Sequence, residues 1–256
     1  MSIELFVFDS SLGVVDAVAG AGAQHRADAI VVDWERSHKR DRQRDSLEIL
    51  GIETQIAPAD RVALEPVVAA SVVPVICRID TWSGSGREDL VRAAGAGVDE
   101  VILPMVSTVE EVDEAIEVAS GRVGVGIMIE TVAACDLASR LATRPITRAY
   151  LGLMDLALER RTGDLFAPLG DGTLDRVAGA CAALPFGFGG LTLPGYGSPV
   201  PTEELAARMV EVGASFTFLR RSFLADSRPD HSQGLSDIRS MVERIATSLP
   251  GSGKRR

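Results

Sequence analysis

The chain has 256 residues, 46% hydrophobic and 24% charged, with 36 Asp and Glu against 26 Lys and Arg for a formal net charge of −10. That composition buries a sizeable core and excludes intrinsic disorder. The acidic balance excludes a general affinity for nucleic acid or anionic membrane, although a pocket can still be locally positive and take a small anion.

The N-terminus, "MSIELFVFDSS", has no basic start and does not read as a signal peptide. Its apolar part, "LFVFDS", is the first predicted strand, and the helical pattern "GVVDAVAGAGAQ" follows. Strand 2, "AIVVDWE", runs into the charged stretch "ERSHKRDRQRD", where basic residues are interleaved with Asp41 and Asp45 and the pattern predicts a solvated loop face. Strand 3, "VPVICRID", is followed by "TWSGSGRED", a Gly/Ser loop able to cradle a phosphate but lacking the P-loop spacing and lysine, so an ordinary βα loop is the competing reading. Helix "REDLVRAAGAG" comes next, then strand "EVILPMV" and helix "TVEEVDEAIEVAS", in which Thr108 leads into Glu110 and Glu111 as an N-terminal signal. Strand 5, "VGVGIMIE", ends in Glu130 and helix "TVAACDLASRLA" follows at once. Strand 6, "AYLGLMD", ends in Asp155, and residues 157–180 read as a long loop before their helix. Strand 7, "LPFGFGGL", helix "TEELAARMVEVG" and strand 8, "SFTFLRRS", complete the alternation. Gly95, Gly97 and Gly213 close helices, and residues 251–256, "GSGKRR", read as a disordered tail.

The strands lack period-two alternation, as expected of strands covered on both faces. Eight β and eight α units in alternation predict an α/β fold of the (β/α)8 barrel type, with residues 1–250 as one domain. An open doubly wound sheet would need a Gly-rich fingerprint after its first strand, which "FDSSLGVVDA" does not supply. A two-domain chain would need a linker, and none divides the sequence. No apolar run approaches the length of a membrane span. Cys77, Cys135 and Cys181 are scattered and form no C-x-x-C pair. They fit a reducing cytoplasm better than a disulfide scaffold or thiolate metal site.

In such a barrel the C-terminal strand ends converge on the active-site face. Glu130 and Asp155 would then sit side by side, with Asp33 and Glu35 at the end of strand 2 and Arg78 and Asp80 at the end of strand 3. Five acids facing one guanidinium repel one another unless a cation sits among them. Two carboxylates completed by water and substrate oxygen suit Mg²⁺ or Mn²⁺ rather than Zn²⁺, because no histidine lies near strands 5 or 6. The alternative is that strand-end acids cap the following helices. Arg78 reads equally as a bidentate clamp on a substrate carboxylate or as a buried ion pair with Glu35 or Asp80. His38 is the histidine nearest a strand end.

At "AIVVDWERS", "PVICRID", "GVDEVILPMVSTVEEV", "GIMIETVAA", "YLGLMDLA" and "VGASFTFLRRSF", in this order, the chain resembles the superfamily of HpcH/HpaI class II pyruvate aldolases and citrate lyase β-subunits. The resemblance implies a (β/α)8 barrel whose last helix is exchanged with a neighbour, in a cytoplasmic homo-oligomer (dimer, trimer or hexamer). It implies a metal on Glu130 and Asp155, with Arg78 on the substrate carboxylate or enolate oxygen. The backbone of Gly152, Leu153 and Met154 would line the acid pocket, and Asp33 and Glu35 would hold metal-bound water. The substrates would be a 2-oxo acid and an aldehyde. The chain departs from the pattern at Arg36, which stands where the pyruvate aldolases carry a histidine and is taken as a substrate contact. His38 would replace that histidine if its loop turns inward. At strand 8, Arg220 and Arg221 replace a small Gly-Ser pair, either adding positive charge to the pocket or pointing outward. An acyl-CoA ester lyase and a non-catalytic barrel that binds an oxo acid are the competing functions.

Overall fold

The computed structural model describes residues 2–9, 11, 15, 18, 22–37, 39, 46–50 and 62–249. Strands β1 (Glu4–Phe8), β2 (Ala29–Asp33), β3 (Val75–Arg78), β4 (Glu100–Leu103), β5 (Gly124–Ile129), β6 (Ala149–Leu151), β7 (Phe186–Phe188) and β8 (Phe216–Phe218) form a closed parallel barrel in chain order, β8 pairing back onto β1. The (β/α)8 reading therefore holds. The described helices are α1 (Ser46–Leu50), α2 (Leu64–Ala70), α3 (Gly86–Gly95), α4 (Val109–Ala119), α5 (Val132–Leu141), α6 (Leu153–Arg160), α7 (Thr173–Ala180), α8 (Thr202–Val212), α9 (Phe223–Asp226) and α10 (His231–Ser248). The expected first helix lies mostly outside the described residues, and so do His38 and the tail 251–256.

Closure explains the unbroken apolar strands. Leu5 and Val7 of β1 pack outward with the helices, while Phe6 joins Val31, Ile76, Ile102, Met128, Tyr150, Phe216 and Phe218 inside the barrel. The inner layer is held by rings: Phe6 stacks on Phe216 at 5.1 Å between centroids, and Tyr150 lies 4.2 Å from Phe218. The end of the barrel opposite the strand C-termini is closed by polar groups. Glu100 accepts from Arg148 Nε at 2.8 Å and from Thr147 Oγ1 at 2.7 Å, and the Arg148 guanidinium lies over Phe6 and Phe216.

Helix starts follow local chemistry. Thr108 and Glu111 form a reciprocal capping box at α4. In residues 157–180 the expected helix is α7, but the long loop before it is shortened by the end of α6 and a 3₁₀ turn at Ala167–Leu169. The apolar residues Leu156, Phe166 and Leu174 explain the difference, since each is buried in the main hydrophobic core. Helix α10 packs along its own barrel, where Arg239 Nη2 donates to Asp28 Oδ2 at 2.7 Å and to Arg26 O at 2.8 Å. No described helix is long and apolar enough to cross a membrane.

Candidate active site

The β5–α5 junction shows why a buried strand ends in a carboxylate. Thr131, not Glu130, caps α5: its hydroxyl oxygen accepts from Ala134 N at 3.0 Å and donates to Val106 O at 2.7 Å. Glu130 is thereby free of the helix and lines a cavity of about 490 Å³ at the C-terminal ends of the strands. It is 3% exposed. Its Oε1 accepts the amide of Met105 at 2.9 Å, and Met105 adopts a left-handed backbone (φ 53°). Its Oε2 lies directly over Gly152, where a β-carbon would collide with it. Gly152→Ala is therefore expected to displace Glu130 and to destabilise the fold by about 1–3 kcal/mol in urea denaturation, as overpacking does.

The sequence places Asp155 at the end of strand 6, but β6 stops at Leu151. Asp155 lies instead in the first turn of α6, because Gly152 ends the strand and "LMDLALER" continues in good helix formers. A carboxylate is favoured there by the helix dipole. Asp155 nevertheless lines the same cavity and is 8% exposed. Burial first, then the neighbouring charges of Asp155 and Glu35, push the Glu130 carboxyl up to about 8 against the pull of Arg78.

The acids of β2 do not share that strain. Asp33 lies opposite Arg78 in the β2–β3 register and accepts both prongs of its guanidinium, Nε to Oδ1 at 2.9 Å and Nη2 to Oδ2 at 2.5 Å. Lys39 Nζ stands 3.3 Å from Asp33 Oδ2, and Arg221 Nη2 is 2.8 Å from the same oxygen. Glu35 Oε2 is shared by Lys39 at 2.9 Å and Arg78 at 3.4 Å. Burial would raise the Asp33 carboxyl, but Arg78, Lys39 and Arg221 override it and hold the group well below the usual carboxylate range. The expected repulsion of five acids around one guanidinium is thus corrected to two acids among three cations, with Glu130 and Asp155 as the remaining acidic pair.

Asp80 is elsewhere. It accepts from Ser37 N at 2.8 Å, Ser37 Oγ at 2.6 Å, Thr81 N at 2.9 Å and Ser85 Oγ at 3.0 Å, tying the loops after β2 and β3 together. Within "TWSGSGRED" the Thr81 amide and the Ser85 hydroxyl are thus given to this carboxylate. Asp80 therefore has a structural role, but not the helix capping expected of a strand-end acid, because α3 starts after Ser85 with no side-chain cap.

Arg78 forms the buried ion pair that one reading expects, with Asp33 first and Glu35 second rather than with Asp80. Its Nε–Nη2 fork is filled by Asp33, while Nη1 lies 3.9 Å from Met128 Sδ and the residue lines the cavity. Gly152, Leu153 and Met154 line the cavity as expected. Asp33, Glu35 and Arg36 are not among its lining residues; the half-buried Arg36 gives its backbone amide to Asp80 Oδ1 at 3.2 Å.

Lys39 is the residue that sequence reasoning missed. It belongs to the stretch read as a solvated face, yet it is 3% exposed and lines the cavity. Its signal was the i, i+4 spacing from Glu35. Tyr150 also lines the cavity, its hydroxyl donating to the carbonyl of Gly189. A phenol within an otherwise apolar strand was the available sign. Burial, with the nearby charge of Glu130, raises that phenol well above its usual range, so it stays neutral.

Solved structures with this fold are known. RipC from Yersinia pestis is 16% identical over 98% of each chain, with a TM-score of 0.61. An HpcH/HpaI aldolase/citrate lyase family protein from Burkholderia cenocepacia J2315 is 17% identical over 89% of this chain and 92% of that one, with a TM-score of 0.63. The fold is the one these proteins share. A citrate lyase from Burkholderia xenovorans LB400 is 16% identical over 92% of this chain and 76% of its own, with a TM-score of 0.58. The fold expected from the sequence motifs is therefore the fold found. No family model and no curated protein sequence matches the chain.

Proposed function

We propose that the chain is a divalent-metal-dependent carbon–carbon lyase, an aldolase that cleaves or forms a 2-oxo acid from a pyruvate-type enolate and an aldehyde. The observation that carries this reading is the buried Glu130–Asp155 pair beside Arg78 at the mouth of the barrel. The likeness in fold to an aldolase/citrate lyase family protein supports it.

The donor set fits a hard divalent cation. Two carboxylates are held in one enclosed site, and Glu130 resists carrying its charge there without a cation. Glu130 and Asp155 would hold Mg²⁺ or Mn²⁺ and leave its other positions open. When bound, such a cation supplies Lewis-acid stabilisation for the negative charge that develops on a keto oxygen as the C3–C4 bond breaks. The chain's own residues do the rest. Arg78, braced from behind by Asp33 and Glu35, has donors left on Nη1 for a substrate carboxylate. Lys39, held by Glu35 and Asp33, stands on the cavity wall as a hydrogen-bond donor. The rings of Phe8, Phe166 and Phe218 line the same space and exclude water from it. A cytoplasmic homo-oligomer belongs to the same reading.

The test is proton exchange on pyruvate in D₂O, followed by NMR of the methyl signal with Mg²⁺ and then with EDTA. Metal-dependent loss of the signal is the expected result. An unchanged signal in protein that binds Mg²⁺ would overturn the free oxo acid as substrate and direct attention to acyl-CoA esters.

A further inference from the structure

Arg220 stands apart among the cavity's cations. Lys39, Arg78 and Arg221 all share the carboxylates of Asp33 and Glu35. Arg220 has no carboxylate partner among the described residues. Its guanidinium is held only by carbonyl oxygens, Nε to Gly190 O at 2.9 Å, Nη2 to Val200 O at 3.4 Å and Nη1 to Ser198 O at 3.5 Å, and it lies 5.9 Å over the ring of Phe166. These contacts use three of the five N–H donors and leave one on each terminal nitrogen. Burial pulls the group below its ordinary arginine value, the cost of a half-enclosed charge that nothing neutralises. An uncompensated, partly buried cation is unexpected in a chain of net charge −10.

The surroundings match an anion rather than a structural pair. Gly189, Gly190, Arg220 and Ser222 line one wall of the cavity, beyond the ends of β7 and β8. Among the described residues, the amides of Gly189 and Gly190 donate to no protein acceptor. In (β/α)8 barrels the loops after strands 7 and 8 are a frequent place for a substrate's anionic group. Round the ring, β8 is three strands from β3, which carries Arg78, and three from β5, which leads into Glu130. A ligand with one end between Arg78 and Glu130 therefore meets Arg220 with its other end. Charge bookkeeping agrees: a divalent cation would match Glu130 and Asp155, and a substrate carboxylate on Arg78 would match the excess of three cations over Asp33 and Glu35, which leaves Arg220.

We infer that Arg220, with the Gly189–Gly190 backbone and Ser222, is a specificity-determining anion subsite. It takes a terminal oxyanion group, phosphate or carboxylate, on the part of the substrate remote from Glu130 and Asp155. Resting on the lyase reading, this makes the aldehyde partner a charged one, and neutral aldehydes poor substrates.

The test uses inorganic phosphate and acetate as probes. The metal-free full chain is titrated with each at constant ionic strength in EDTA, with binding read by calorimetry. Saturable binding of at least one probe is expected, weakened tenfold or more in Arg220→Gln. Because Arg220 also ties down the loop carbonyls, Ser222→Asp serves as a second variant; it sets a negative charge on the same wall without breaking those bonds and should weaken binding equally. Preference for phosphate assigns a phosphorylated partner, and preference for acetate a carboxylate-bearing one. No saturable binding, or binding unchanged in either folded variant, overturns the subsite. Pyruvate exchange by the wild-type chain separates the two claims. If exchange fails while anion binding follows Arg220, the lyase reading falls and the subsite stands; if exchange succeeds without such binding, the subsite alone falls.

Discussion

Glu130→Gln is expected to lower metal-dependent pyruvate exchange by about a thousandfold, since Lewis-acid stabilisation contributes several kcal/mol and each 1.36 kcal/mol is a factor of ten. Glutamine keeps the shape over Gly152 and can still accept from Met105 N, so the loss reports charge rather than packing. The pH dependence makes the argument sharper. In the metal-free protein the Glu130 carboxyl is pushed up to about 8 by burial and by Asp155, whereas in the unfolded chain it titrates at about 4.3. Between these values the folded state holds a proton that the unfolded state has released. The stability associated with this group is therefore complete below about pH 4.3 and is lost as pH rises towards 8, with a slope of up to about 1.4 kcal/mol per unit. Denaturation of metal-free protein across this window should show the decline, and Glu130→Gln should flatten it. Mn²⁺ must displace that proton, so its affinity for the wild-type chain should rise by up to about tenfold per unit between pH 6 and 8. A wild-type affinity that does not change with pH would contradict the assignment of Glu130 as a ligand.

Arg78→Met is expected to be the most destabilising of the site substitutions. It removes the guanidinium that Asp33 grips with both oxygens and leaves a carboxylate, 12% exposed at its side chain, to Lys39 and Arg221 alone. Breaking a buried pair by deleting one partner costs about 3–5 kcal/mol, and the remaining cations should hold the loss near the lower figure. Arg78→Lys should recover part of the stability but little substrate affinity, because an ammonium cannot fill the two-pronged contact and also reach the cavity. Urea denaturation separates stability from the KM for pyruvate. The Asp33 carboxyl is held below its ordinary value, so its contribution is present above about pH 3.9 and is lost as pH falls beneath that. The wild-type chain should lose more stability on acidification below pH 4 than Arg78→Met does.

Much of this site was legible in the sequence because its carriers follow apolar strands. "GIMIET" joins a buried strand to a Thr cap, which leaves a carboxylate with no local duty, and Glu130 is that carboxylate. "PVICRID" places Arg78 at its strand end in the same way, and Asp33 follows from "AIVVD". What the acids and cations do to one another was not legible. Asp80 looked equivalent to Asp33, two residues past a strand end rather than at it, yet it turns to Ser37 and staples two loops. Lys39 looked like one more charge in a solvated run, and it is buried against Glu35.

The sequence by itself determined the barrel. Strands covered on both faces must be apolar throughout, and eight of them alternating with amphipathic helices leave few other ways to bury every face. It also determined which strand ends face the mouth, since chain direction alone decides which end of a parallel strand faces it. Only the tertiary structure decided how the charges are shared, because pairings such as Arg221 with Asp33, 188 residues apart, depend on barrel closure bringing β8 beside β1 and β2. Closure also left Arg220 without a carboxylate among the described residues. Local pattern encodes the position of each residue along its own strand, whereas the Coulomb energy of a buried charge depends on every neighbour within a few ångströms, whatever its place in the chain.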